Sequence, residues 1–190
     1  MENRLKVLII GAPQSGKSCI ANFLTGRIDT ISSVYRPTIG VRILKSTKTI
    51  VHDIAPEGEK IEVHFWDLSG DPKFENCWLA AQDGVDGIIL VVNGDLKLNQ
   101  EDLEGLIRNF PKEMGIKPLH CLGLLHHPSG FIKQDSKDTQ ICGLLFHHSC
   151  IEEGRNSINP YLDKFLTKIA NKKMAELAAE AQEGGQEGEY

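Results

Sequence analysis

No stretch of this 190-residue sequence approaches the roughly 18 consecutive apolar residues of a membrane span, and its start, Met1-Glu2-Asn3-Arg4-Leu5-Lys6, runs straight into a strand-like segment. Neither a transmembrane helix nor a secretory signal is therefore expected. Cysteine is sparse: Cys19, Cys77, Cys121, Cys142 and Cys150 are odd in number and scattered. That pattern excludes a disulfide scaffold and reads as reduced thiols of an intracellular protein. A basic excess is also missing, with 21 Lys and Arg against 26 Asp and Glu. Five of those acids, Glu176, Glu180, Glu183, Glu187 and Glu189, lie in the last 15 residues, which hold no Lys or Arg. The rest of the chain is balanced, which argues against nucleic acid as the main partner.

What is present suits one soluble domain: 41% hydrophobic and 25% charged residues in a length with room for a single core. Residues 1–175 are expected to form it, and 176–190 an acidic tail that frays into disorder from Ala178 onward. Leu5 to Ile10 reads as a buried strand, and Ser18 to Leu24 as a helix stopped by Gly26. Val41–Thr47 and Lys60–Asp67 read as an antiparallel pair joined across a polar stretch containing Pro56-Glu57-Gly58. Gly87–Asn93, Leu119–Leu125 and Ile141–Phe146 are further strands; Phe74–Gln82, Leu103–Phe110 and Ile158–Leu177 carry helical spacing. The alternation predicts an α/β fold with a six-stranded, mostly parallel sheet, one antiparallel strand and helices on both faces. About 15 residues separate the fifth and sixth strands, too few for a full crossover helix.

Gly11-Ala12-Pro13-Gln14-Ser15-Gly16-Lys17-Ser18 matches a phosphate-binding loop, with a buried strand before it and a helix after it. In such a loop, backbone N–H groups wrap the phosphates and the helix N-terminus adds positive potential. Lys17 is placed to reach the β- and γ-phosphates, and the Ser18 hydroxyl to bind Mg²⁺; Cys19 follows in the first helical turn. Phe65-Trp66-Asp67-Leu68-Ser69-Gly70 ends a strand about 50 residues on. There Asp67 can hold Mg²⁺ through water, and the Gly70 N–H can meet a γ-phosphate. Between the two lies Tyr35-Arg36-Pro37-Thr38-Ile39-Gly40, whose Thr38 can supply a second hydroxyl to the metal.

These three stretches in this order resemble the Ras-superfamily small GTPases, the Rab branch most of all. Ala21-Asn22-Phe23-Leu24-Thr25, Gly40-Val41-Arg42-Ile43-Leu44, Gly70 to Trp78 and the His126-His127 doublet narrow the resemblance to the Rab-like members of the intraflagellar transport B complex. The resemblance implies a Ras-like P-loop fold, GTP or GDP with Mg²⁺ as cofactors, and a ciliary as well as cytoplasmic location. It also implies coiled-coil subunits of that complex as partners, gripped through the switch regions. Arg36 to Gly40, Trp66 and Phe74 to Trp78 are the candidate contacts. The departures are equally specific. Asp71 stands where the family places the Gln that orients the attacking water, and Pro13 where a Gly is usual. His126-His127-Pro128-Ser129 replaces the base-reading Asn-Lys-x-Asp, and Ser149-Cys150-Ile151 is a partial match to Ser-Ala-Lys. Asn171-Lys172-Lys173-Met174, on the final helix, is out of place for base reading.

The doublets His126-His127 and His147-His148 invite a zinc reading, but neighbours on a strand point to opposite faces, so each offers at most one ligand. One His of each pair is expected to line the base pocket, with Ser149 and Cys150. With no Cys after Cys150, no prenyl anchor is expected. Four readings stay open: a nucleotide-binding interaction subunit, a cycling GTPase, a small P-loop kinase, and a degenerate fold without nucleotide. Asp71 and Pro13 weigh against the second, the missing Arg-rich lid over 126–140 against the third, and the intact Lys17, Ser18, Thr38 and Asp67 against the fourth.

Overall fold

Leu5, Val7 and Ile9 face one way and Leu8 and Ile10 the other, and both sets are fully buried. A strand can be apolar on both sides only where helices cover both faces of its sheet, as they do here. The structure is a computed structural model describing residues 4–27, 35–97, 100–130, 137–152 and 157–184. The strands are β1 (Arg4–Ile10), β2 (Val41–His52), β3 (Ala55–Leu68), β4 (Gly87–Asn93), β5 (Cys121–His126), β6 (Thr139–Ile141) and β7 (Leu144–Ser149). They form one sheet in the order β2-β3-β1-β4-β5-β7-β6. On one face, α1 (Lys17–Leu24) and α4 (Asn159–Gly184) bury Ile20, Phe23, Leu162, Phe165 and Ile169. On the other, α2 (Glu75–Ala81) and α3 (Gln100–Ile107) bury Ala81, Leu103 and Ile107. No described helix is long and apolar enough to cross a membrane.

Two details differ from the sequence expectation. Both strands of the β2–β3 hairpin run further than expected, to His52 and from Ala55, so the turn falls at Asp53-Ile54 within the polar stretch. Between the pairs Ile50–Glu59 and His52–Ala55, one β2 residue faces three of β3, so the Pro and Gly sit in a bulge that tolerates them. The tip is fastened to α4: the Asp53 N–H donates to Asn171 Oδ1 at 2.8 Å, and the Thr167 hydroxyl to the Val51 carbonyl at 2.9 Å. Asn171, idle in base reading, thus holds a hairpin.

The second difference is a seventh strand. The stretch read as Ile141–Phe146 is a hairpin folded at Cys142-Gly143, both with positive φ (51° and 83°), the backbone a two-residue hairpin turn requires. It adds β6 as a second antiparallel edge and displaces the parallel strand to Leu144–Ser149. Among the described residues no helix links β5 to β7. The final helix runs to Gly184, past Ala178, and residues 185–190 lie outside the described set.

Candidate functional site

β1, β3, β4, β5 and β7 run parallel, so their carboxyl ends share one edge, where open α/β sheets bind ligands. The loop from Gly11 to Gly16 crosses that edge and delivers the chain into α1, with the Ser15 N–H donating to the Ala12 carbonyl at 3.3 Å. Gln14 has positive φ (59°), a rare conformation for a residue with a side chain. Gly16 caps α1 at φ 93°, and a β-carbon there would stand 2.3 Å from the His126 ring. Glycine is needed at this position on both counts.

Lys17 bends back over the loop, its Nζ donating to the Ala12 carbonyl at 2.7 Å. Burial lowers its pKa to about 8, against the raising pull of Asp67. Ser18 Oγ and Thr38 Oγ1 are 2.8 Å apart, and Thr38 Oγ1 donates to Asp67 Oδ2 at 3.3 Å. Three residues from three separate segments therefore converge. Asp67 is fully buried; burial pushes its carboxyl up, while hydroxyls of Ser18 and Thr38 and the cations Arg42 and Lys17 pull it down. Its Oδ2 carries an Arg42 ion pair at 3.1 Å, whereas Oδ1 has no hydrogen-bond partner among the described residues. Two hydroxyls and a buried carboxylate with one free oxygen are a hard-oxygen donor set, the type Mg²⁺ takes. The set fits that ion. Cys19, half-buried beside it, has its thiol pKa raised by burial and by Asp67.

Arg42 went unnoticed as a site residue in the sequence. Besides holding Asp67, it donates from Nη2 to the Ser18 carbonyl at 3.3 Å, tying β2 to the phosphate loop. Only the β2–β3 register, which sets Arg42 opposite Asp67, reveals this.

Asp71 is committed elsewhere than to a reacting water. Its Oδ1 accepts the Lys73 N–H at 3.1 Å and its Oδ2 pairs with Lys73 Nζ at 2.7 Å, so it caps the turn Pro72–Phe74. Hydrogen bonds from Lys73 hold its carboxyl below the usual range. Trp78, a candidate partner contact, faces inward instead: its Nε1 donates to the Ser69 carbonyl at 2.7 Å and its ring packs on Phe110. Behind the loop, a cavity of about 590 Å³ opens between Pro13, Gly70, Trp78 and α3.

At the carboxyl ends of β5 and β7, the two neighbours of each His doublet part company as a strand requires. His126 is fully buried under Gly16, neither ring nitrogen has a hydrogen-bond partner among the described residues, and burial lowers its pKa to about 4. His127 points the other way and bonds Asp95 and His148. The His127 N–H donates to the Ser149 carbonyl at 2.8 Å, and the buried Ser149 hydroxyl has no partner among the described residues. Cys150 is buried, its carbonyl accepting the Ser157 hydroxyl at 2.6 Å. Ser129 supplies no carboxylate; its N–H donates to Asp95 Oδ2 at 2.8 Å. Asp95 was not singled out from sequence; the clue was that it falls two residues beyond β4, on the ligand-binding edge.

Three comparisons bear on this geometry. The family model described as "Ras of Complex, Roc, domain of DAPkinase" matches residues 6–123. Proteins named intraflagellar transport protein 22 homolog are similar over most of the chain. The one from Danio rerio is 31% identical over 169 residues, 87% of this chain and 90% of that one. The one from Homo sapiens is 31% identical over 173 residues, 88% and 91%. The T. brucei IFT22/74/81 GTP-bound crystal structure contains a chain matched with a TM-score of 0.68 at 23% identity, over 92% of this chain and 99% of that one. At that identity the match speaks for the fold.

Proposed function

The chain belongs to the intraflagellar transport protein 22 family, with a Ras-like GTPase domain, and on that footing we propose that it is an atypical GTP- or GDP-binding subunit of the intraflagellar transport B complex. The observation that carries this is the convergence of Ser18, Thr38 and Asp67 beside Lys17 on one phosphate loop. Backbone N–H groups of Gly11 to Gly16 and the α1 N-terminus receive the phosphates, and Lys17 leaves the Ala12 carbonyl for them. Ser18, Thr38 and, through water, Asp67 would hold Mg²⁺, which when bound offsets phosphate charge. Gly70 offers its N–H from the second switch. The base lies toward His126, His127, Ser149 and Cys150, and without a carboxylate at Ser129 its reading rests on backbone groups there.

Turnover is slow in this reading, because Asp71 is a turn cap rather than a water-orienting amide. The partner surface is the first switch and the adjoining β2 edge, where Tyr35, Ile39 and Ile43 are exposed, Ile39 by 79%. Three such apolar groups beside the metal-linked Thr38 suit helical segments of a coiled-coil pair whose grip depends on the nucleotide. That assembly sets the ciliary location of the chain.

The test is to denature the purified protein and identify the released nucleotide by chromatography. Guanine nucleotide at near one per chain supports the proposal; none, with no GDP uptake on titration, overturns it. For the partner, Ile39→Asp is expected to abolish co-purification with the coiled-coil pair while leaving GDP binding intact. Undiminished co-purification moves the interface elsewhere.

A further inference from the structure

At the base end, four groups form an unbroken file across the ends of β4, β5 and β7. Asp95 Oδ1 meets His127 Nδ1 at 2.8 Å, His127 Nε2 meets His148 Nδ1 at 2.8 Å, and His148 Nε2 meets the Lys137 carbonyl at 3.2 Å. The two rings are nearly coplanar, 15° apart with centroids at 5.1 Å. A 2.8 Å approach of their nitrogens is closer than rings in face contact permit, so they join edge to edge through a hydrogen bond. His147–Tyr161, at 3.8 Å, is by contrast a true face stack.

Counting hydrogens is informative because both ends of the file only accept: a carboxylate at one end, a carbonyl at the other. Three hydrogen bonds need three hydrogens, while two neutral imidazoles carry two. Completing all three bonds at once therefore requires one proton more than two neutral rings supply. Asp95 stays ionised beside the pair: burial raises its pKa, but hydrogen bonds from Ser129 and His127 outweigh that and hold it low. Asp95 Oδ2 also receives the Ser129 N–H, so this carboxylate fastens the loop after β5 with one oxygen and the His pair with the other.

We propose that Asp95 is a positioning residue of the base-binding loop, acting through one proton that His127 and His148 share. This rests on the nucleotide reading above and deepens it. Losing the proton removes one of the three bonds and loosens the file that braces the loop at Ser129 against β7 and the Lys137 backbone, so guanine nucleotide binds more weakly as pH rises. Two further titratable groups lie near the file among the described residues: His126, which interacts electrostatically with Asp95 and His127, and Glu152, whose carboxylate stands against Gly130. His126 lies under Gly16; His147 pairs with Asp138 and stacks on Tyr161 from α4; Lys137 contributes its carbonyl.

Two measurements on the full chain test it. Nitrogen-15 spectra of the histidine rings at pH 7 are expected to show three ring protons shared by His127 and His148, and only two in Asp95→Asn. GDP–Mg²⁺ affinity is measured from about pH 6 to about pH 8.5 in the wild type and in His148→Gln, whose amide can accept and donate without titrating. The ratio of the two affinities cancels any contribution from Lys17 and is expected to change by on the order of tenfold. Two neutral rings at pH 7, or a ratio flat with pH, overturns the proposal while GDP binding stands. A shared proton in a protein that binds GDP at no pH overturns the nucleotide reading, and the positioning role with it.

Discussion

Gly70 lies flat against the phosphate loop: a β-carbon on it would stand 2.6 Å from the backbone nitrogen of Pro13 and 2.7 Å from the Gly11 carbonyl oxygen. These are backbone atoms, which cannot swing aside as a side chain does. The second switch and the loop are thus in direct contact before any side chain is considered, and Pro13 shapes the surface that Gly70 meets. Gly70→Ala is expected to destabilise the fold by about 1–3 kcal/mol and to weaken GTP more than GDP, because the added methyl pushes the switch off the γ-phosphate side. Chemical denaturation and titration calorimetry check it; equal losses for both nucleotides would place Gly70 outside γ-phosphate recognition.

Ser18→Asn is expected to weaken GTP more than GDP, by about tenfold or more. The triphosphate leans harder on the metal, and the substitution removes the hydroxyl that sits 2.8 Å from Thr38. Calorimetric titrations with and without Mg²⁺ decide the matter, and unchanged GTP affinity would refute the metal assignment.

Intrinsic GTP hydrolysis is expected at or below about 10⁻⁴ s⁻¹, the unassisted level of small GTPases. Asp71 is spent on the Lys73 N–H and ammonium, and a carboxylate there repels the γ-phosphate. A single-turnover assay that returns about 10⁻² s⁻¹ without a partner would show another group orienting the water.

Guanine is expected to be preferred, yet bound roughly ten- to a hundredfold less tightly than where a carboxylate reads two base N–H groups, the cost of one charge-assisted hydrogen bond. Ser129 has only a hydroxyl to offer, and its N–H is already given to Asp95. Competition of ATP against labelled GDP checks this; equal affinities would mean that base reading is lost.

His126 makes stability depend on pH. Unfolded, it titrates near 6.5, whereas burial holds it near 4 in the fold. The native state excludes the proton, so the contribution of His126 is complete above about pH 6.5 and is lost as pH falls toward 4, by about 3 kcal/mol in all. Denaturation series at pH 7 and pH 4.5 are expected to show a smaller acid loss in His126→Asn than in the wild type. Equal losses would assign the acid sensitivity to other groups.

The α/β order and the tight Gly11–Gly16 turn between β1 and α1 were legible in the sequence because each is a local matter: a Gly-rich turn, apolar runs of strand length, and helical spacing that begins within a residue of Lys17. Hydrophobic periodicity likewise marked Leu162, Phe165 and Ile169 as the buried stripe of α4. Register and turn position depend on partners far along the chain, and tertiary structure alone decided them. The hairpin turn falls at Asp53-Ile54, where Asn171 and Thr167, more than a hundred residues away, hold its tip. Cys142 adopts a positive φ that no residue preference announces, and so one strand became two. Arg42 meets Asp67 only through cross-strand pairing. The doublets at His126 and His147 showed that neighbours must diverge. That His127 and His148 meet each other, between the Asp95 carboxylate and the Lys137 carbonyl, required the parallel alignment of β5 with β7 at the ligand-binding edge.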